Sequence, residues 1–381
     1  MHFETSTRRL ISLYAICTAV CVAKDFETFS VNRLIQKNFM TMGRMDPIID
    51  PGMPSGHVHA IEGGNKFNLT MGDEDLLSST CTSASVDADK SNYWTPALYF
   101  QDPNTGKFTA VEKSYMNVYY FFEATDDEIK AFPPGLRFFV GDVSLREPPK
   151  DQNGKATGAG NTDPNKGPIQ PVQWTCPRVS YNPRSWPEDS DGMHGVGIQA
   201  PGGEGVNVGA GFPDRNCDAE GSPLRADIHF PSCYNPKKGL RDYKNNFAWA
   251  SSEGTEYPKV NCPEGYMHLP HMFYEVYWHT DYFARKWTEG NQKQPFVLAN
   301  GDRTGYSLHA DFIAGWEEDV LQTIIDTCDT QHKGMQACPN AGSVRSEYDN
   351  SNHCIMENLV PEKIDGTLDQ LPGDNPVTGW D

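Results

Sequence analysis

Eight cysteines spread between residues 81 and 354 constrain the fold of this 381-residue chain more than any other feature. Each disulfide must bring two Cα atoms to within about 4.4–6.8 Å of each other. The even number predicts four disulfides, and we expect a local closure between Cys233 and Cys262. The wide spacing, without Cys-x-x-Cys pairs, argues against a zinc–cysteine site. The eight are Cys81, Cys176, Cys217, Cys233, Cys262, Cys328, Cys338 and Cys354.

The N-terminal segment has the pattern of a secretory signal peptide. Arg8 and Arg9 precede an apolar run that reaches residue 23 and ends in small residues. This run is shorter than a membrane span, which disfavours an uncleaved anchor. We therefore expect residues 1–23 to be removed and the protein to be secreted, extracellular or in a cell wall, with no membrane attachment. The sequon at Asn68 predicts N-glycosylation, in agreement with secretion.

The charge of the chain limits its partners. The formal net charge is −19, and loss of Glu4, Arg8 and Arg9 with the signal peptide makes it one unit more negative. Such a protein repels polyanions, so nucleic acid and anionic membranes are excluded as general partners. Neutral or cationic polymers remain, and the oligomeric state is left open.

Short runs rich in aromatic and β-branched residues predict strands. They cover residues 116–124, 136–143, 226–233, 273–278 and 295–301. An amphipathic pattern with acidic residues in its first turn predicts one helix over 315–328, and Thr125 could cap a second, weaker helix over 125–132. Two stretches between residues 146 and 211 are rich in Gly, Pro and Asn, which favours long surface loops.

These elements predict an all-β to α+β fold, with a β-sandwich or jelly roll, long loops, one packed helix and several disulfides. Nothing in the sequence marks a linker between two globular parts. We expect a single β-rich domain over residues 24–360, followed by a loosely ordered tail over 361–381.

Four blocks of sequence carry a resemblance to a known family. "GRMDPIIDPGMPSGHVHAIEGGNKF", "DKSNYWTPALYF", "LRADIHFPSCYN" and "SLHADFIAGW" resemble, in order and spacing, the signature blocks of a secreted fungal family catalogued as a domain of unknown function. That family often accompanies WSC carbohydrate-binding modules. The resemblance implies secretion, a fungal or fungus-like source and a carbohydrate or cell-wall context, but no particular reaction. Tyr234 stands where the family pattern has tryptophan.

The same blocks contain histidines and acids that could perform acid–base chemistry. Residues i and i+2 of a strand point to the same side, so His57 and His59 would share one face, and His309 would share one with Asp311. A carboxylate can orient a histidine ring for proton transfer. We expect the following residues to meet in one cleft as catalytic groups: His57, His59, His229, His309, Asp311 and Asp46. Separate hydrogen-bonding or capping roles are the alternative.

The motif "HVHAIE" comes close to the first metal motif of a cupin, but Glu62 follows His59 one residue too early and no second cupin motif is present. We therefore expect no metal and no cofactor, with a metal at His57 and His59 as the less favoured alternative.

A second set of residues is typical of a sugar-binding site. Aromatic faces pack on the C–H surfaces of sugars while charged groups bind hydroxyls. Glu275 lies in an apolar alternation, where a carboxylate would have a raised pKa and could act as a general acid. Core packing is the alternative for the rings, and a solvated or arginine-paired side chain is the alternative for Glu275. The predicted substrate-binding residues are Arg44, Asp89, Lys90, Tyr93, Trp94, Tyr99 and Glu275.

Together these features predict a secreted carbohydrate-active protein, with a polysaccharide or cell-wall glycan as its partner. A glycoside hydrolase using Asp46, Asp311 or Glu275 ranks first. A polysaccharide lyase, with Lys90 or Arg44 neutralising a uronate, is disfavoured by the negative charge of the protein. The remaining alternative is a non-catalytic glycan-binding protein of the wall.

Overall fold

The computed structural model describes residues 24–34, 36–203, 205–345 and 353–380. The predicted signal peptide lies outside them. Within these ranges the chain forms nineteen strands, one α-helix (α1, Glu318–Thr327) and six short 3-10 helices. The strands are Thr28–Leu34 (β1), Thr41–Met45 (β2), Pro54–Gly63 (β3), Asn92–Pro96 (β4), Leu98–Gln101 (β5), Phe108–Ala110 (β6), Lys113–Phe122 (β7), Arg137–Gly141 (β8), Val172–Thr175 (β9), Ile198–Gln199 (β10), Val208–Ala210 (β11), Leu224–His229 (β12), Cys233–Tyr234 (β13), Phe247–Ala248 (β14), Met267–His268 (β15), His271–Trp278 (β16), Phe296–Leu298 (β17), His309–Ile313 (β18) and Thr367–Leu368 (β19). The 3-10 helices are Asp75–Ser78, Pro164–Lys166, Pro236–Lys238, Thr280–Phe283, Met335–Ala337 and Pro372–Asp374.

The strands form four antiparallel sheets. A seven-stranded sheet has the order β1-β7-β16-β12-β9-β11-β10, and a five-stranded sheet has the order β2-β3-β4-β18-β8. A four-stranded sheet, β17-β5-β6-β19, and a three-stranded sheet, β14-β13-β15, complete the set. The mostly-β class with one helix is therefore confirmed, and the more detailed sandwich or jelly-roll arrangement stays a prediction.

The seven- and five-stranded sheets share one apolar core. Along β16, Tyr274, Val276 and Trp278 point into it, and along β18 Ala310 and Phe312 do the same. Rings from the two sheets meet there, with the centroids of Tyr93 and Tyr274 5.6 Å apart. Because side chains alternate along a strand, the residues between these point to the opposite side of each sheet.

All five predicted strand regions contain strands, in β7, β8, β12, β16 and β17, and the predicted helix is α1. The second predicted helix, over residues 125–132, is wrong. Thr125 instead forms an isolated bridge with Lys24, and Ile129 forms one with His268. Pairing with distant segments outcompetes the weak local helix signal. The region 146–211 has long loops, as expected, and also supplies β9, β10 and β11.

All eight cysteines of the described chain are paired, in the bonds Cys81–Cys354, Cys176–Cys217, Cys233–Cys262 and Cys328–Cys338. The predicted closure between Cys233 and Cys262 is confirmed. Four disulfides are typical of proteins from oxidising compartments such as the extracellular space. Among the described residues, no helix has the length and apolar character needed to cross a bilayer.

The segment after residue 360 packs on the rest of the chain, in contrast to the loose order that its composition predicts. Strand β19 pairs with β6. Leu371 and Trp380 are buried, and the Trp380 ring lies edge-on to Tyr306 at a centroid distance of 5.8 Å. Apolar residues spaced widely along a polar segment anchor it here.

A buried ion pair joins the two main sheets. Lys113 of β7 contacts Glu62 of β3, and both side chains are fully buried. The other carboxylate oxygen of Glu62 accepts the backbone N–H of Met40. Glu62 is therefore a partner of Lys113, although it follows the two histidines in sequence.

We predict that Lys113→Met destabilises the protein by roughly 3–5 kcal/mol, because the Glu62 carboxylate is left buried without a cationic partner. The double variant Lys113→Met/Glu62→Gln should recover a large part of that loss. Free energies of unfolding from denaturant titrations measure both. Equal stability of the single variant and the wild type would contradict the ion pair.

Candidate functional site

Three histidines meet on the side of the five-stranded sheet that faces away from the shared core, and we call them the histidine centre. His57 and His59 lie on β3 and His309 lies on β18. The Nε2 atoms of His57 and His309 are 3.0 Å apart, and the rings of His57 and His59 have centroids 4.3 Å apart. His59 and His309 are buried, while His57 is half-buried and forms the accessible edge.

The histidine centre is held in neutral form. Burial lowers the pKa of His309 to about 4 and lowers the pKa values of His57 and His59 well below their usual range. Nδ1 of His309 donates a hydrogen bond to the carbonyl oxygen of Ser307 at 2.7 Å. In the neutral ring this leaves the Nε2 lone pair of His309 directed at His57.

Two buried carboxylates lie beside His59. Oδ2 of Asp46 is 3.9 Å from Nε2 of His59, and Oδ1 of Asp46 accepts the backbone N–H groups of Ile48 and Ile49. Asp311 is fully buried, and neither of its carboxylate oxygens has a hydrogen-bond partner among the described residues. Burial raises the pKa of Asp46 to about 6 and raises the pKa of Asp311 well above its usual range.

This part of the protein has two groups of side chains that could bind a metal ion. His57, His59 and His309 form one, and Asp46, His59 and Asp311 form the other. A third group, Asp127, Cys262 and His268, is unsuitable because Cys262 is bonded to Cys233 and has no free thiolate.

A second polar cluster lies on the side of the seven-stranded sheet that faces away from the core, and we call it the polar sheet face. Its central row crosses four strands in register, from Asn117 through Glu275 and Asp227 to Gln173. One neighbouring row contains Tyr119, Phe273 and His229, and the other contains Tyr115, Tyr277, Arg225 and Thr175. Since His229 lies here, it does not join the histidine centre.

Arg225 organises the charges of the polar sheet face. Its guanidinium contacts Asp227 at 2.5 Å and Glu275 at 2.7 Å. Glu275 also accepts a hydrogen bond from Asn117 at 3.0 Å, and Asp227 accepts one from Thr175. Burial raises the pKa of Asp227, although Arg225 opposes that shift. The two carboxylates therefore have fixed positions and unequal surroundings.

A chain of hydrogen bonds leads from the polar sheet face to a deeper acid. Nδ1 of His229 lies 3.0 Å from Nε2 of His271, and Nδ1 of His271 lies 3.1 Å from Glu123. The other oxygen of Glu123 is 3.0 Å from Nε2 of His268. In the neutral tautomers His271 donates to Glu123 and accepts from His229, so that Nε2 of His229 keeps its lone pair. Burial lowers the pKa of His229 to about 3, so the ring stays neutral and this nitrogen can accept a hydrogen bond.

The aromatic block predicted to bind sugar lies in the core. Tyr93, Trp94 and Tyr99 are fully buried, and so is Asp89. The hydroxyl of Tyr93 contacts both Asp89 and the hydroxyl of Tyr120. These rings therefore have no face available for a sugar, because both sides of β4 are covered and Tyr99 on β5 is also fully buried.

The other predicted substrate-binding residues lie in different parts of the structure and do not form one site. Lys90 donates its backbone N–H to Gly315, and Arg44 is paired with Glu362 at 2.6 Å, so neither lies on the polar sheet face. Glu275 does lie there and is paired with arginine. Asn68, the predicted glycosylation site, is exposed.

Sequence reasoning missed several members of the polar sheet face. Arg225 and Asp227 alternate with apolar residues in "LRADIH" exactly as Glu275 does in "FYEVYW", so the period of two could have identified them. Glu123 directly follows β7 and His271 begins β16, so the alternation of polar and apolar residues along a strand does not identify them. Their meeting depends on the pairing of β7 with β16, which no local pattern encodes.

The chain belongs to the family described as a domain of unknown function, DUF1996, whose family model matches residues 46–316. The matched region includes the histidine centre and the polar sheet face. No curated protein and no solved structure matches the chain.

We predict a pH-dependent contribution of His268 to stability. Burial alone would lower the pKa of His268, but hydrogen bonds and charges from Asp127 and Glu123 raise it to about 9. A raised pKa stabilises the folded state below the unfolded value of about 6.5, and this contribution is lost as the pH rises through about 9. The stability difference between the wild type and His268→Gln should therefore shrink, by on the order of 3 kcal/mol, between pH 6 and pH 10.

Denaturant titrations at several pH values measure this difference, with His279→Gln as the control because His279 lies outside the cluster. A difference that stays constant across that range would show that His268 is not held as a cation.

Proposed function

We propose that the protein is a secreted carbohydrate-active protein that binds a neutral or amino-sugar polymer across the polar sheet face and hydrolyses it there. The observation that carries this proposal is the cross-strand pair of carboxylates, Asp227 and Glu275, flanked by rows of aromatic side chains.

The aromatic rows provide surfaces for sugar rings. Tyr115 and Tyr277 are stacked with centroids 3.9 Å apart, and His229 and Phe273 are stacked at 4.3 Å. Tyr115, His229 and Phe273 are half-buried and keep part of their surface accessible. Sugars expose C–H groups that pack on such rings, while their hydroxyls bond to polar groups between them. Asn117 and Gln173, at the two ends of the central row, are suited to bind those hydroxyls.

The carboxylate pair suits glycoside hydrolysis. Asp227 and Glu275 are directly opposed on neighbouring antiparallel strands, so their carboxyl groups lie on the same side of the sheet as neighbours, and a pair of acids is what glycoside hydrolysis requires. Asp227, whose pKa is raised by burial, would protonate the leaving oxygen. Glu275, held by Arg225 and Asn117, would act on the sugar carbon or on the attacking water. Nε2 of the neutral His229 offers an additional hydrogen-bond acceptor for a sugar hydroxyl.

The charge balance favours a neutral or cationic substrate. The positive charge of Arg225 is already matched by two carboxylates, so it is poorly suited to neutralise a uronate. The protein as a whole has a net charge of −19, which repels acidic polymers. The lyase alternative therefore ranks below hydrolysis.

Glycan binding without turnover is the second candidate function. It is favoured by the ion pairs that Arg225 makes with both carboxylates, because carboxylates already engaged by an arginine are less available to act on a sugar. In that case the polar sheet face would hold the polymer and leave it intact.

We predict that incubation of the wild-type protein with a panel of β-glucans, chitin, chitosan and mannans releases soluble oligosaccharides from at least one polymer. Asp227→Asn and Glu275→Gln should each lower that rate by about 10²–10⁴-fold, because each removes a group that transfers a proton or stabilises charge. Chromatography of the released sugars measures the effect. Asp369→Asn is the matched control, since this carboxylate is 87% exposed and distant in sequence from the site.

Co-sedimentation of the protein with the same insoluble polymers distinguishes hydrolysis from glycan binding without turnover. Binding that weakens about tenfold in Tyr115→Ala, with no product from the wild type, would establish the binding function and rule out hydrolysis. Neither binding nor product with any polymer would overturn the proposal as a whole.

A further inference from the structure

The polar sheet face does not use the histidine centre, which lies on the other main sheet. We infer that His57, His59 and His309 form a binding site for one divalent transition-metal ion of the zinc class, supported by Asp46 and Asp311. This inference concerns a different part of the chain from the proposed glycan site and does not depend on it.

The three imidazoles have the spacing that a metal ion requires. One nitrogen from each of His57, His59 and His309 lies within 4.8 Å of the others. Two nitrogen ligands at the usual zinc distance in a tetrahedral arrangement are about 3.3 Å apart, and Nε2 of His57 and Nε2 of His309 are 3.0 Å apart. The hydrogen bond from Nδ1 of His309 to Ser307 is the kind of outer contact that fixes a metal-binding ring and leaves its other nitrogen free.

Buried atoms without partners provide the second, independent observation. His59 and Asp311 are at least 99% buried, yet neither carboxylate oxygen of Asp311 has a hydrogen-bond partner among the described residues, and no side chain there forms a hydrogen bond with either ring nitrogen of His59. Burying such groups without compensation is costly, and folded proteins rarely do so. A bound cation beside His59 would satisfy a ring nitrogen and stabilise the ionised form of the two nearby acids.

Asp46 and Asp311 complete the arrangement through His59. These three side chains form the second group with metal-ligand spacing. Because an imidazole has two nitrogens, His59 can give one to the ion and direct the other toward a carboxylate, as metal-bound histidines commonly do. Three histidine ligands leave a fourth position open, which is typical of zinc sites that bind water or substrate. The half-buried edge of the centre is at His57.

The inference is tested with Zn²⁺ and the full chain. Protein stripped with dipicolinate and dialysed is titrated with Zn²⁺, and bound zinc is counted by plasma mass spectrometry and by calorimetry. We expect one ion per wild-type chain. His57→Ala, at the least buried position, should weaken binding by more than about a hundredfold, and the isosteric Asp311→Asn should weaken it by about 10–100-fold. His279→Ala, which changes a half-buried histidine elsewhere, should bind as the wild type does.

Circular dichroism checks that each variant is folded. The midpoint of thermal unfolding is a second measure of zinc binding. It should rise with Zn²⁺ in the wild type and stay constant in His57→Ala. A wild-type chain that binds no zinc, or a His57→Ala variant that binds it as tightly as the wild type, would overturn the inference. Glu275→Gln should bind zinc normally, so failure of the glycan proposal and failure of the metal site are distinguishable.

Discussion

The shared core between the seven- and five-stranded sheets determines where the chemistry of this protein can lie. Each strand places alternate side chains in that core, which contains Tyr274 and Val276 from β16 and Ala310 and Phe312 from β18. The residues between them, Glu275 and Asp311, must then point away from it. The two polar clusters are consequently on opposite sides of the molecule's main apolar layer, and neither can move to the other side without reversing the register of a whole strand.

The two clusters differ in how their charges are balanced. On the polar sheet face each carboxylate has an arginine partner and a neutral hydrogen-bond donor, through Arg225, Asn117 and Thr175. In the histidine centre the acids have no cationic side chain within bonding distance among the described residues, and Asp311 has no donor at all. The first cluster is complete by itself, whereas the second has the composition of a site that gains stability when a cation binds.

Local patterns in the sequence are sufficient to predict which segments form strands or the helix and which side chains of a strand share a face. The period of two in "HVH" and "FYEVYW" correctly predicts which residues share a face, and the apolar periodicity of α1 predicts its position. The same patterns could not identify sheet partners. His229 was expected beside His309, but β12 pairs with β16 and β9, whereas β18 pairs with β4 and β8. The sequence predicts that Tyr93 and Trp94 bind sugar because an aromatic strand that is covered on both sides has the same composition as a sugar-binding one.

The bond between Cys81 and Cys354 joins positions 273 residues apart and thereby encloses most of the chain in a single covalent loop. Both main sheets take most of their strands from inside this loop, including the exposed connections between β8 and β12. A protease in the surrounding medium that cut once within those connections would leave two fragments that remain bonded to each other. Separation of the fragments would require reduction of the disulfide, so a nicked molecule can keep its strands at high effective concentration and retain its shape.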